Sequence, residues 1–300
     1  MQVLAVQHSD KDANLFALFG DDQGLYLYDK AADSRKLLAK LETIKDFENP
    51  VRLYFHEPYI CVTERFGLNA ALFNINTGEC RPLSREDYHP EVSSYSIGFL
   101  EREGRTLLIH QTAWNRLDIT DVETGELLTD REIICRETAK GYYDENKKWH
   151  DPQYERKNYI DYFHSLLHLS PNHKNFLSNG WVWQPADMIR CYNVEDFLQN
   201  WDNDSFCVEY YNGSWDRPCT FIDEDTFVIA IDRENFERDE DGEKYKQSQL
   251  AYFRLSEKGE SRWLPAYKTV KADLFGPDDA EVRGELHYDA QSGLLIALSR

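Results

Sequence analysis

Phe73-Asn74-Ile75-Asn76-Thr77-Gly78-Glu79 and Thr120-Asp121-Val122-Glu123-Thr124-Gly125-Glu126 are two copies of one turn, 47 residues apart. The Thr-Gly-Glu step predicts a hairpin, because glycine takes positive φ without a Cβ clash. Upstream, Ala71-Leu72-Phe73-Asn74-Ile75 alternates apolar and polar residues, the period-2 pattern of a half-buried strand. Before it lies another apolar strand, Tyr59 to Thr63 in one copy and Thr106 to His110 in the other. A further strand precedes that one, Val51 to Phe55 and Ser96 to Leu100. After the turn a fourth is expected, as at Leu127 to Asp130. Four antiparallel strands recurring at this spacing make the blade of a β-propeller.

Looser copies extend the repeat. Tyr28-Asp29-Lys30 lies 45 residues before Phe73, and Tyr192-Asn-Val-Glu-Asp-Phe197 and Phe253-Arg-Leu-Ser-Glu-Lys-Gly259 follow later. The later spacings widen to 72 and 61 residues, which two insertions explain. One runs from Arg136 to Asn158 and is polar, charged and aromatic; the other, Arg233 to Gln247, reads as an extended hairpin tip. Insertions in repeat proteins fall in loops, often on the binding face. Leu286 to Tyr288 and Leu294 to Leu298 begin a further unit, with the strand at Val3 to Val6 available to help close the set. The expectation is an all-β chain, a single β-propeller domain over residues 1–300 with about six four-stranded blades, or alternatively seven. A β-sandwich with coincidental turns is the competing architecture.

Charge narrows the partners. The chain has 300 residues, 54 acidic against 34 basic, and a net charge of −20. Binding nucleic acid needs Lys and Arg to displace counterions, so no nucleic-acid partner is expected. The densest basic stretch, Lys147-Lys148 with Arg156-Lys157, is interleaved with Asp144, Glu145, Asp151 and Glu155. No apolar run approaches a membrane span, and the first ten residues lack the basic region of a signal peptide. The expected location is cytoplasmic, with no membrane partner. The six cysteines form no C-x-x-C pair and are expected reduced. Asn203-Asp-Ser205 and Asn212-Gly-Ser214 then read as chance glycosylation matches.

At the repeat the chain resembles degenerate WD-repeat and YVTN-type propellers. The slot that holds Trp-Asp in WD repeats holds Tyr28-Asp29, Phe73-Asn74, Thr120-Asp121, Tyr192-Asn193 and Phe253-Arg254 here. The middle segment, with Asp161-Tyr-Phe-His164, Ser170-Pro-Asn-His173 and Asn179-Gly-Trp-Val-Trp183, resembles uncharacterised bacterial WD-repeat-like proteins. The resemblance implies a propeller in which Ser170 to His173 turns between the first two strands of a blade. It implies no activity.

Tests for chemistry return little. His164 and His168 lie four apart, which on a helix could hold zinc. Leu166, Leu167 and Leu169 with Ser170-Pro171 argue for a strand, where four residues span about 13 Å, too far to share a metal. At least one of the two is expected to be a hydrogen-bonded structural histidine. Glu237-x-Asp239-x-Asp241-Gly242 begins like a calcium loop, but Ser248 stands where the closing Glu belongs. The chain has no G-x-S-x-G, P-loop or G-x-G-x-x-G. No cofactor, metal or catalytic residue is assigned. Trp181, Trp183, Trp201, Tyr210, Tyr211 and Trp215 cluster within 35 residues, with Trp181 and Trp183 expected to face inward together. Tyr142, Tyr143, Trp149, His150 and Tyr154 in the first insertion are the stronger binding candidates, with His164 and Trp215 added. The reading is a non-enzymatic scaffold presenting a propeller face and this insertion to a protein partner. The alternative is a small-molecule or carbohydrate binder, or a hydrolase, with its site at the mouth of a central channel.

Overall fold

The computed structural model describes residues 1–44, 49–135, 153, 158–183, 186–200, 205–212, 217–231, 249–261, 263–272 and 284–298. Two compact units divide the chain, Met1–Ile160 and Asp161–Arg300. Among the described residues the strands form six antiparallel sheets, each a run of consecutive strands.

The first unit holds three sheets. Sheet one is β1 (Val3–His8), β2 (Leu15–Gly20), β3 (Gly24–Asp29) and β4 (Ser34–Lys40). Sheet two is β5 (Val51–His56), β6 (Tyr59–Glu64), β7 (Asn69–Asn74) and β8 (Cys80–Ser84). Sheet three is β9 (Ile97–Arg102), β10 (Arg105–Ala113) and β11 (Arg116–Asp121). The second unit holds sheet four, β12 (Phe163–Leu169) to β15 (Phe206–Asn212) through β13 (Asn175–Val182) and β14 (Ala186–Asn193). Sheet five is β16 (Cys219–Phe221), β17 (Thr226–Ile231), β18 (Gln249–Arg254) and β19 (Lys268–Lys271), and sheet six is β20 (Glu285–Asp289) with β21 (Leu294–Leu298). Within each unit the first strand of a sheet packs beside the first strand of the next. Each neighbouring pair encloses an apolar layer: Phe19, Ile60 and Phe73 between sheets one and two, Cys61, Ile97 and Leu108 between two and three. In the second unit, Leu177, Phe227 and Phe253 fill the layer between sheets four and five.

The repeated turn has one physical cause. The Asp or Asn ending the third strand accepts two successive backbone N–H groups with a single side-chain oxygen. Asp29 accepts from Ala31 and Ala32 at 2.9 and 3.0 Å, and Asn74 from Asn76 and Thr77 at 2.9 and 3.3 Å. Asp121 accepts from Glu123 and Thr124 at 2.9 and 3.0 Å. The glycine four positions on sits at φ +74° in Gly78 and +73° in Gly125, as the hairpin requires. Asp and Asn are interchangeable here because only the shared oxygen is used. In the fifth copy Arg254 has no such oxygen; Asp225, from the preceding turn, accepts the Ser256 N–H instead at 2.7 Å.

Two expectations are corrected. Leu127 to Asp130 is not a strand: apart from one bridge, Thr120 to Leu127, it stays outside the ladder. Thr129 is the reason, since its hydroxyl accepts the Ile119 N–H at 2.9 Å and donates to Asp118 at 3.1 Å, replacing a backbone partner. After Tyr192-Asn193 the chain enters a short helix, α1 (Val194–Asn200), rather than a tight turn. Asn193 caps it by accepting from Glu195 and Asp196 at 3.0 and 3.2 Å, with two acids in the first turn to suit the helix dipole. Ser170 to His173 does turn between the first two strands of sheet four, with the Ser170 N–H donating to the Asn175 carbonyl at 2.9 Å.

Candidate functional site

Of the residues singled out by sequence, Tyr142, Tyr143, Trp149, His150, Tyr154 and Trp215 lie outside the described residues, as do Trp201 and the whole of 233–247. His164 is described. It sits on β12, 3% exposed, with Nδ1 at 3.0 Å from the Ser178 hydroxyl and its ring edge-on to Tyr162. Burial, then the Arg190 charge, holds its pKa well below the ordinary histidine value, so the ring is neutral. His164 and His168 share one strand, and no group of metal ligands occurs among the described residues. Trp181 and Trp183 part company. Trp181 is 3% exposed and stacks on Phe163 at 3.7 Å; Trp183 lies past the strand end and is 45% exposed, edge-on to both rings. The alternation that predicted a common face stops at Val182.

The ends of the first insertion are described, and they are pinned together. Ile134 bridges Tyr159 in parallel, and the Ile134 N–H donates to the Asn158 carbonyl at 2.9 Å. Asn115, 0% exposed, donates from its amide nitrogen to the carbonyls of Ile134 and Ile160, each at 2.9 Å. Tyr159 packs edge-on to Trp114, which packs on Tyr88. The chain therefore leaves at Cys135 and returns at Asn158 through one fixed stem.

The opposite end of the first unit carries the loops from first to second strand and the repeated turns. A cavity of about 310 Å³ opens there between sheets two and three. Pro58, Tyr59, Leu72 and Val122 give it an apolar wall, and Asn76, Thr77, Glu79, Arg81 and Glu123 a polar rim. Tyr59 is 4% exposed, and its hydroxyl has no hydrogen-bond partner among the described residues. Burial first, then the Glu123 and Asp121 carboxylates, pushes its pKa above the ordinary tyrosine value. Arg81 pairs with Glu79 at 3.3 Å, while the Glu123 carboxylate has no ion-pair partner among the described residues.

Beside this cavity His56 ties three sheets together. Its Nδ1 meets Asp10 from the loop after β1, and its Nε2 meets Glu101 of β9 at 2.5 Å. Phe99 stacks on the ring at 5.5 Å. Glu101 also accepts the Thr106 hydroxyl at 2.9 Å, and Lys11 approaches it at 3.7 Å. Burial raises the Glu101 pKa, but the His56 and Thr106 hydrogen bonds outweigh it and leave the carboxyl below its ordinary value. With Asp10 on one ring nitrogen and Glu101 on the other, His56 links residues of sheets one, two and three. Sequence reading missed the cluster, although Asp10, His56 and Glu101 recur at the blade period, 46 and 45 residues apart.

No protein-family profile matches the chain, and no curated protein matches it by sequence. Among solved structures it is similar to the β-propeller domain of Cps50 (Swd1) from Myceliophteria thermophila, with a TM-score of 0.54 and 13% identity. The likeness covers 99% of this chain and 79% of that one. At that identity it carries the fold, a WD40-type β-propeller, and nothing of the activity. Among the described residues no helix is long and apolar enough to cross a membrane.

Proposed function

We propose that the chain is a non-enzymatic binding scaffold, one propeller domain over residues 1–300, which presents a face and the excursion between Cys135 and Asn158 to a protein partner in the cytoplasm. The observation that carries this reading is the pinned stem. A buried asparagine given over to holding two strands of chain side by side fixes where the excursion starts and ends. Fixing its ends lowers the ordering cost of binding. The excursion holds Tyr142, Tyr143, Trp149, His150 and Tyr154, and tyrosine and tryptophan are the residues that dominate interface energetics. The exposed indole of Trp183, braced by Phe163 and Trp181, is a second surface of the same kind. The test is affinity capture from the native lysate with the intact protein and with Lys140 to Arg156 deleted. A specific protein lost on deletion, with the fold retained, supports the reading; capture that survives deletion overturns the role of the excursion. The small-molecule reading draws its support from the cavity beside Tyr59.

A further inference from the structure

We infer that the cavity between sheets two and three receives a primary ammonium group on an aliphatic stem, a lysine side chain of the partner. The inference rests on the scaffold reading only in assigning that lysine to a protein.

Shape and charge both point to it. The inner wall of Pro58, Leu72, Val122 and the Tyr59 ring is apolar and matches a methylene chain, which buries its stem readily while its charge stays near water. Tyr59 lines the space, and its hydroxyl, which has no hydrogen-bond partner among the described residues, offers an acceptor to a ligand donor there. At the rim the Glu123 carboxylate, unpaired among the described residues, supplies the negative charge. Glu79 and Asp121 are offset by Arg81 and Arg105, to which they are paired, so Glu123 carries the net charge of the rim. An anionic ligand would meet the uncompensated Glu123 carboxylate. A neutral polyol would donate to both the Tyr59 and Glu123 oxygens but bring no positive charge to balance the carboxylate. An ammonium group has three donors, enough for the tyrosine oxygen, the Glu123 carboxylate and one rim oxygen of Asn76 or Thr77.

The test uses amide NMR spectra of the full-length deuterated protein, titrated with Nα-acetyl-lysine methylamide, its norleucine analogue and putrescine. Saturable shifts at Tyr59, Thr77 and Val122 are expected with the lysine probe and not with norleucine. Glu123→Gln should weaken lysine binding about threefold, the scale of an exposed ion pair. Tyr59→Phe, which keeps the ring in place, should weaken it further. Equal shifts with norleucine, shifts confined to other residues, or affinity unchanged in both variants would overturn the proposal. Putrescine binding tighter than the lysine probe would also overturn it, by making a free diamine the occupant. The readout lies outside residues 140–156, so failure here leaves the capture experiment to decide the scaffold reading separately.

Discussion

His110 makes the protein acid-sensitive in a way that one substitution removes. It lies on β10 opposite Ile97 and Asp118, and both ring nitrogens are buried without a hydrogen-bond partner among the described residues. Burial lowers its pKa from 6.5 to about 4; the Asp118 carboxylate opposes that and Arg116 adds to it. The folded-state value is below the unfolded one, so as pH falls the unfolded chain takes the proton first. The stabilisation is whole above pH ~6.5 and drains away toward pH ~4. One pKa unit corresponds to about 1.4 kcal/mol, so between pH 7 and pH 5 His110 alone should remove about 2 kcal/mol. His110→Leu replaces the ring with an apolar group in a layer already lined by Ile97 and Leu108. At pH 7 it should be as stable as the parent, since it strands no partner. Urea unfolding of both proteins at pH 7 and pH 5 is the assay. The parent should lose about 2 kcal/mol more than the variant across that interval. His164, neutral by burial as well, contributes equally to both and cancels. Equal losses in parent and variant would refute the reasoning.

Two further substitutions probe the framework. At Gly180 an added Cβ would stand 2.0 Å from the Phe163 carbonyl oxygen, a backbone atom that cannot step aside. Gly180→Ala should therefore cost about 3 kcal/mol in urea unfolding, and a cost under half of that would show that β12 and β13 can part there. Asn115→Leu should strand the buried carbonyls of Ile134 and Ile160, at a cost of about 2 kcal/mol, and speed hydrogen exchange at the Ile134 amide. Unchanged exchange at Ile134 would mean the stem stands without Asn115.

The framework was legible because its signal is local. Asn74 and Asp121 fold their own turns, so two near-identical heptapeptides announce the third strand and the hairpin of successive blades. The fourth strand of sheet three was not legible, because a single hydroxyl, Thr129, takes over an amide that a strand would have paired. The helix after Asn193 was written in the sequence as a capping residue followed by Glu195 and Asp196, but the likeness of Tyr192-Asn193 to the other turns masked it. The candidate site was much less readable. The Asp10, His56 and Glu101 cluster depends on three sheets lying side by side, and only the blade period links its members. Tyr59 and Glu123 looked like ordinary strand and turn residues; the space between them belongs to the packing of two sheets. Trp183 differed from Trp181 because the strand ended one residue too soon for alternation to apply.

The central claim, that the excursion between Cys135 and Asn158 is the binding element, is met most directly by the affinity of the captured partner for the protein with Tyr142, Tyr143 and Trp149 changed to alanine. Interface aromatics of this kind are worth roughly 1–2 kcal/mol each, so the account predicts Kd at least about a hundredfold higher with thermal stability unchanged. A Kd equal to that of the intact protein would contradict it.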